Sequence, residues 1–215
     1  MRGEIKTLNS SKRDFDKEAT SWDSPPRVKL AVDISRAILG RIQLKPDMDI
    51  LDFGCGTGLV TFPLGSLVHS VTGMDTSKGM LEVFEGKAQR KQVDNIKTLH
   101  LDLAKGDIVS GRYHVVISSM TLHHVKDTLA LLKQFHLVLY PGGYIAIADL
   151  DEEGGRFHDH NDGVFHFGFD REKLCQLFVE AGFTSVSSMT AAEMNKPDAQ
   201  GQERVFSVFL ITGRK

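Results

Sequence analysis

Ile50-Leu51-Asp52-Phe53-Gly54-Cys55-Gly56-Thr57-Gly58-Leu59 reads as a short apolar strand that runs directly into a glycine loop. Glycine at three alternate positions strips three side chains from one tight turn and tolerates the positive φ that such a turn needs. A ligand can then approach the backbone amides. Leu59, Val60, Phe62 and Leu64 follow with helical spacing, so the loop is expected to open on a helix N-terminus with unpaired N–H groups and partial positive charge. The dinucleotide fingerprint G-x-G-x-x-G requires a third glycine where Leu59 stands; the pattern here is Asp-x-Gly-x-Gly-x-Gly.

Working outward, residues 1–13 are polar and expected to be weakly ordered. Residues 14–22 can form a short helix that Ser24-Pro25-Pro26 breaks, and 28–42 an amphipathic helix through Leu30, Ile34, Ala37, Ile38 and Ile42. Lys45-Pro46-Asp47 turns the chain into the first strand, Asp49–Phe53. Strands are expected at 69–75, 96–101, 113–118 and 144–150, and helices at 77–91, 127–139 and 171–181, with Pro141-Gly142-Gly143 as a helix stop. Alternation of this kind predicts a parallel sheet with helices on both faces. Strands at 183–190 and 204–212 are joined by a short connection containing Asn195-Lys196-Pro197-Asp198, which predicts an antiparallel pair. The division expected is an N-terminal helical extension or lid, 1–45, and one α/β domain, 46–215.

Ligands of open α/β sheets sit beyond the carboxyl ends of the strands. Four features fall there: the Gly54–Gly58 loop after the first strand, Asp75 after the second, Asp102 after the third, and Ser118-Ser119 after the fourth. A carboxylate at Asp75 suits the two hydroxyls of a ribose and would repel a 2′-phosphate. Asp102 can accept from an adenine amino group, and Met80 and Leu103 can sandwich the ring. Each of these residues has a plainer reading as a cap or as core.

The composition is that of a soluble globular chain, 41% hydrophobic and 25% charged, and no apolar run reaches the roughly 20 residues of a membrane span. A net charge of −2, with the N-terminal basic residues mixed among acids, gives no reason to expect nucleic-acid binding. The N-terminus lacks a signal-peptide core, and Cys55 and Cys175 have no metal-like spacing, so a cytoplasmic protein with free thiols is expected. The sequence leaves the oligomeric state open.

Leu51-Asp52-Phe53-Gly54-Cys55-Gly56-Thr57-Gly58, Val71-Thr72-Gly73-Met74-Asp75-Thr76-Ser77, Asp102-Leu103, Tyr113-His114-Val115-Val116-Ile117-Ser118 and Leu139-Tyr140-Pro141-Gly142-Gly143-Tyr144 resemble successive motifs of the class I S-adenosylmethionine (SAM)-dependent methyltransferases. The "methyltransferase domain 11"-like enzymes that act on small molecules are the group most similar. The resemblance implies a Rossmann-like seven-stranded sheet of order 3-2-1-4-5-7-6, with strand 7 antiparallel. It implies SAM as cofactor, with Gly54, Cys55, Gly56 and Gly58 lining its methionine and ribose and Asp52 behind them. Asp75 and Thr76 would lie at the ribose, Asp102 and Leu103 at the adenine, and the backbone of Ser118 at the methionyl amine. The expected reaction moves a methyl group to an unidentified small molecule. A nicotinamide oxidoreductase is disfavoured by Leu59 and by the terminal hairpin; a non-catalytic SAM-binding domain is the other alternative.

Methyl transfer from a sulfonium needs positioning and dehydration more than an acid–base pair, and no catalytic residue is assigned. The substrate-facing candidates are His123 and His124, which follow the fourth strand, and Trp22, in a segment that could close as a lid. His158-Asp159-His160 with His166 is weighed as a metal site and set aside, because i, i+2 spacing in an irregular loop fixes no geometry. No metal is therefore expected, and the histidines are read as surface or substrate-loop residues. The long loop 151–168 is where specificity is expected.

Overall fold

A computed structural model of the chain describes residues 14–198 and 201–215; the reading of residues 1–13 lies outside them. Seven strands, β1 (Asp49–Phe53), β2 (Ser70–Asp75), β3 (Ile96–His100), β4 (Tyr113–Ser119), β5 (Leu139–Leu150), β6 (Thr184–Pro197) and β7 (Glu203–Arg214), form one sheet. Its order is β3-β2-β1-β4-β5-β7-β6. The first five strands run parallel, and β7 runs antiparallel to both β5 and β6. Order and strand directions are those implied by the resemblance.

Alternation along the strands sends neighbouring residues to opposite faces, and each face has its own core. Leu51 and Phe53 join Val116, Ile145 and Ile147 on one side, packed against helices α5 (Thr128–Val138) and α6 (Arg171–Glu180) through Leu132, Phe135, Leu174 and Phe178. Ile50, Val71, Val115 and Ile117 face the other way, against Leu30, Ile34 and Ile38 of α2 (Pro25–Leu39) and Leu64 of α3 (Thr61–Gly65). Burial on both faces explains why β4 reads as a continuous apolar run. Phe135 is wholly buried, and truncating such a residue to alanine costs about 3–5 kcal/mol.

Several boundaries differ from expectation. Helix α2 begins at Pro25, directly after Ser24, so the proline pair that ends the preceding turn also starts the helix. Proline fits the first helical position because its missing N–H would be unpaired there in any case. The glycine loop does not pass straight into a helix; α3 starts at Thr61 and has five residues. Pro141-Gly142-Gly143 belongs to β5, not to a separate stop. In the terminal hairpin, Asn195–Pro197 is strand rather than loop, paired with Glu203–Val205. β6 is the edge of the sheet, where a proline costs no interior hydrogen bond. The turn closes on Asp198, whose carboxylate accepts from Gln202 N (2.9 Å) and Arg204 Nε (2.5 Å).

Candidate functional site

Residues at the carboxyl ends of β1, β2 and β4 interlock. The N–H groups of Gly54 and Cys55 both donate to the Met74 carbonyl (2.7 and 3.0 Å), folding the glycine loop onto the end of β2. Gly56 N donates to Asp75 Oδ2 (2.8 Å), and Ser77 N to Asp75 Oδ1 (2.9 Å). Ser77 in turn caps α4 (Lys78–Arg90) by accepting from Met80 N (3.1 Å). Glycine is required at two loop positions. At Gly54 (φ +71°) a Cβ would lie 2.2 Å from the Thr121 hydroxyl, and at Gly58 (φ +83°) it would lie 2.6 Å from the Phe84 ring.

Two carboxyls behind this loop are perturbed. Asp52 is buried and accepts from the Thr61 hydroxyl. Burial pushes its pKa up to about 7; the Thr61 hydrogen bond opposes the rise and the charge of Asp75 adds to it. Burial also raises Asp75, against the lowering effect of the Ser77 and Gly56 amides. The Cys55 thiol is raised well above its usual value, first by burial and then by these two carboxyls. Its side chain packs with Leu81 and Phe84, so only the backbone of Cys55 is left to line a ligand.

Asp102 lies on the same rim, because Leu101 N donates to the Asp75 carbonyl (3.0 Å). Its carboxylate caps a single 3-10 turn by accepting from Ala104 N (3.0 Å) and pairs with Lys105 (3.2 Å). The Lys105 hydrogen bond is the largest influence on it and holds its carboxyl below the usual range. Thr76 is exposed and its carbonyl accepts from His100 Nε2 (3.1 Å). Met80 is buried, while Leu103 is partly buried against the core. The Ser118 hydroxyl is buried and donates to the Phe53 carbonyl at the end of β1 (2.7 Å).

The segment before α2 lies across this rim. It consists of α1 (Phe15–Glu18) and a 3-10 turn, Ala19–Ser21. Asp16 accepts from the Ser77 hydroxyl (2.6 Å) and Gly79 N (2.9 Å). Asp23 accepts from the Thr57 hydroxyl (2.5 Å) and Lys87 (2.7 Å). Between these anchors, the Trp22 indole nitrogen lies 3.9 Å from where a Cβ on Gly56 would stand, and Arg27 stacks on the ring at 3.9 Å. Phe15 meets both Trp22 (5.8 Å between centroids) and His124 (5.6 Å) edge-on.

His123 and His124 occupy a 3-10 turn after β4. His123 is buried; its Nδ1 lies 2.7 Å from Asp149 Oδ1, and its backbone N donates to Asp149 Oδ2 (3.2 Å). Burial alone would raise the Asp149 pKa, but the His123 imidazole and the backbone donors of Leu150 and His123 outweigh it, and the carboxyl is held low. His123 Nε2 has no hydrogen-bond partner among the described residues. His124 Nδ1 lies 2.8 Å from the Gly163 carbonyl. His158 is buried beside both, with ring centroids 5.0 Å from His123 and 5.7 Å from His124; of its two readings, surface or substrate-loop residue, burial rules out the first. His160 is exposed, and His166 is occupied at the Val125 carbonyl (3.0 Å), so the set weighed along the loop does not assemble. Sequence reasoning missed Asp16, Asp23 and Asp149. The signal for Asp149 was present: it is the one acid in the apolar run from Tyr144 to Leu150.

A family described as "Methyltransferase domain" matches residues 50–143. A demethylmenaquinone methyltransferase of Staphylococcus saprophyticus is 30% identical over 181 residues, covering 70% of this chain and 76% of that protein. The chain belongs to the class I SAM-dependent methyltransferases. An uncharacterized methyltransferase of Schizosaccharomyces pombe is 28% identical over 166 residues, covering 70% of this chain and 58% of its own length. Among solved structures, a SAM-dependent methyltransferase from Aquifex aeolicus shares the fold at 18% identity and a TM-score of 0.68, over 93% of this chain and 97% of that one.

SAM is the cofactor of this family, and the methyltransferase site has the chemistry to take it. Both Asp75 oxygens are engaged by amides, yet each carboxylate oxygen has two acceptor sites, so a lone pair remains on each for a ribose hydroxyl. Gly56 and Gly58 bare the loop backbone beside it.

Proposed function

We propose that this methyltransferase moves the methyl group of SAM to a small molecule with a flat ring, bound between the glycine loop and the segment formed by residues 14–24. The observation that carries the reading is the arrangement of Phe15, Trp22 and His124, three ring side chains in one edge-to-edge chain across the mouth of the site. Such walls suit a planar acceptor. The Staphylococcus relatives named as demethylmenaquinone methyltransferases support a quinone-like ring.

SAM supplies an activated methyl on a sulfonium. The work left to the chain is to hold it, align the acceptor and exclude water. Asp75 and the Gly54–Gly58 amides hold the nucleoside end, with Asp102, Met80 and Leu103 at the adenine. The 14–24 segment acts as a lid anchored through Asp16 and Asp23, a role distinct from that of α2, which packs into the core of the α/β domain. The net charge of −2 gives no reason to expect a nucleic-acid acceptor. The two free thiols fit a cytoplasmic site of action; among the described residues no helix is long and apolar enough to cross a membrane.

Mass spectrometry of the purified protein for carried-over SAM or its demethylated product, followed by transfer of labelled methyl to a panel including demethylated naphthoquinones, tests the reading. Binding of NADH without SAM would overturn it in favour of an oxidoreductase. SAM binding with no labelled product across the panel would reduce the chain to a binding domain.

A further inference from the structure

Three histidines from two distant parts of the chain meet beside the acceptor mouth. One ring nitrogen from each of His123, His124 and His158 lies within 4.8 Å of the other two. The loop between β5 and α6 is pinned to bring this about. Phe165 N and His166 N donate to the His123 carbonyl (2.9 and 3.2 Å), and Glu153 accepts from Phe157 N (2.7 Å). Lys196 donates to the Phe157 carbonyl from β6, and Phe157 packs edge-on against Phe206 (5.2 Å).

We propose that His123, His124 and His158 bind a divalent zinc ion. Three features support a metal over a mere histidine cluster. First, Asp149, fully buried, accepts from His123 Nδ1 and so leaves the lone pair on Nε2. That is the carboxylate–histidine–metal arrangement in which an outer carboxylate sets the tautomer of a ligand. Second, this Nε2 is buried and lacks a partner among the described residues; an imidazole nitrogen left so would cost desolvation energy with nothing in return. Third, the Gly163 carbonyl can only accept, so it holds the proton of His124 on Nδ1 and leaves that Nε2 as a donor of electrons too. Three imidazoles are a protein ligand set used for zinc, and imidazole also suits copper and nickel. Zinc–nitrogen bonds of about 2.0–2.1 Å place tetrahedral ligands about 3.4 Å apart. The rings must therefore close by no more than about 1.4 Å from the separations given above.

The site stands independently of methyl transfer, so its test reads metal directly. Protein stripped with a chelator is titrated with Zn2+ alone by calorimetry, and with Co2+ alone by visible absorption, whose tetrahedral bands report nitrogen ligation. The expected result is one ion per chain. His158→Gln and His124→Gln should each abolish the cobalt bands, and Asp149→Asn should weaken zinc about 10- to 100-fold through the loss of orientation at His123. His160→Gln, an exposed neighbour, should leave binding unchanged. Circular dichroism confirms that each variant is folded, and His124→Gln keeps the test valid if the buried positions do not tolerate change. Absence of stoichiometric zinc binding would overturn the proposal, as would binding that survives both His158→Gln and His124→Gln. His123 would then stand as an unmetallated proton acceptor.

Discussion

Asp52→Asn should make the cofactor-free protein more stable at neutral pH and not at acid pH. Asp52 is wholly enclosed behind the glycine loop and its pKa rises from 3.8 to about 7, chiefly through burial. An acid whose folded pKa lies above its unfolded value binds more protons when folded, so stability falls as pH rises from about 4 to about 7 and is flat above. The upward shift of roughly three units corresponds to a penalty on the order of 4 kcal/mol on the ionised folded state. Asparagine is neutral at every pH, keeps an oxygen to accept from Thr61, and also relieves repulsion with Asp75. Near pH 4.5 the variant should exceed the wild type by only about 1 kcal/mol. By pH 7.5 it should exceed it by up to about 4 kcal/mol, or roughly 10 °C in Tm for a chain of this size. Urea unfolding followed by circular dichroism, on protein freed of co-purified cofactor, measures both curves from pH 4.5 to 8.5. Carboxyls with lowered pKa, such as Asp16 and Asp49, tilt both curves equally and cancel in the difference. A difference independent of pH would refute the argument, since it would mean that Asp52 ionises at its ordinary pKa.

Asp75→Ala should weaken SAM by about 2 kcal/mol or more, through lost charge-assisted hydrogen bonds to the ribose and loss of the anchor on Gly56; unchanged affinity by calorimetry would remove Asp75 from the ribose site. Asp16→Ala releases both contacts of α1 to α4 and should speed release of the demethylated product in stopped-flow fluorescence from Trp22, with wild-type rates counting against a lid. Gly58→Ala places a methyl 2.6 Å from the Phe84 ring at φ +83°, and thermal melting should show a loss of at least about 2 kcal/mol, as strain at a special φ and overpacking combine.

Much of the sheet could be read along the chain because each element announces itself locally. β1 and β4 are buried on both faces and carry consecutive apolar residues (Ile50-Leu51, Val115-Val116-Ile117), and Asp127 and Asp170 cap their helices by accepting from backbone N–H groups. Boundaries failed where one residue serves two neighbours. Pro25 is both breaker and helix start, and Pro197 is tolerated because β6 has no partner on its outer side among the described residues. The glycine loop and Asp75 were legible for the same local reason: both are bound to the ends of consecutive parallel strands, and the βα alternation already places those ends side by side.

Sequence alone determined the architecture and the family and brought the glycine loop and the strand-ending acids to one rim, since strand periodicity, glycine spacing and terminal acids are properties of short segments. Only the tertiary structure decided how the rest of the site is completed. Asp16 and Asp23 reach the rim through contacts 61 and 34 residues away in the chain. His158 reaches His123 because a loop is pinned by hydrogen bonds whose partners no local pattern reveals. Long-range pairing of polar side chains depends on which surfaces the folded sheet brings within about 3 Å of each other, and that distance exists only after the chain has closed.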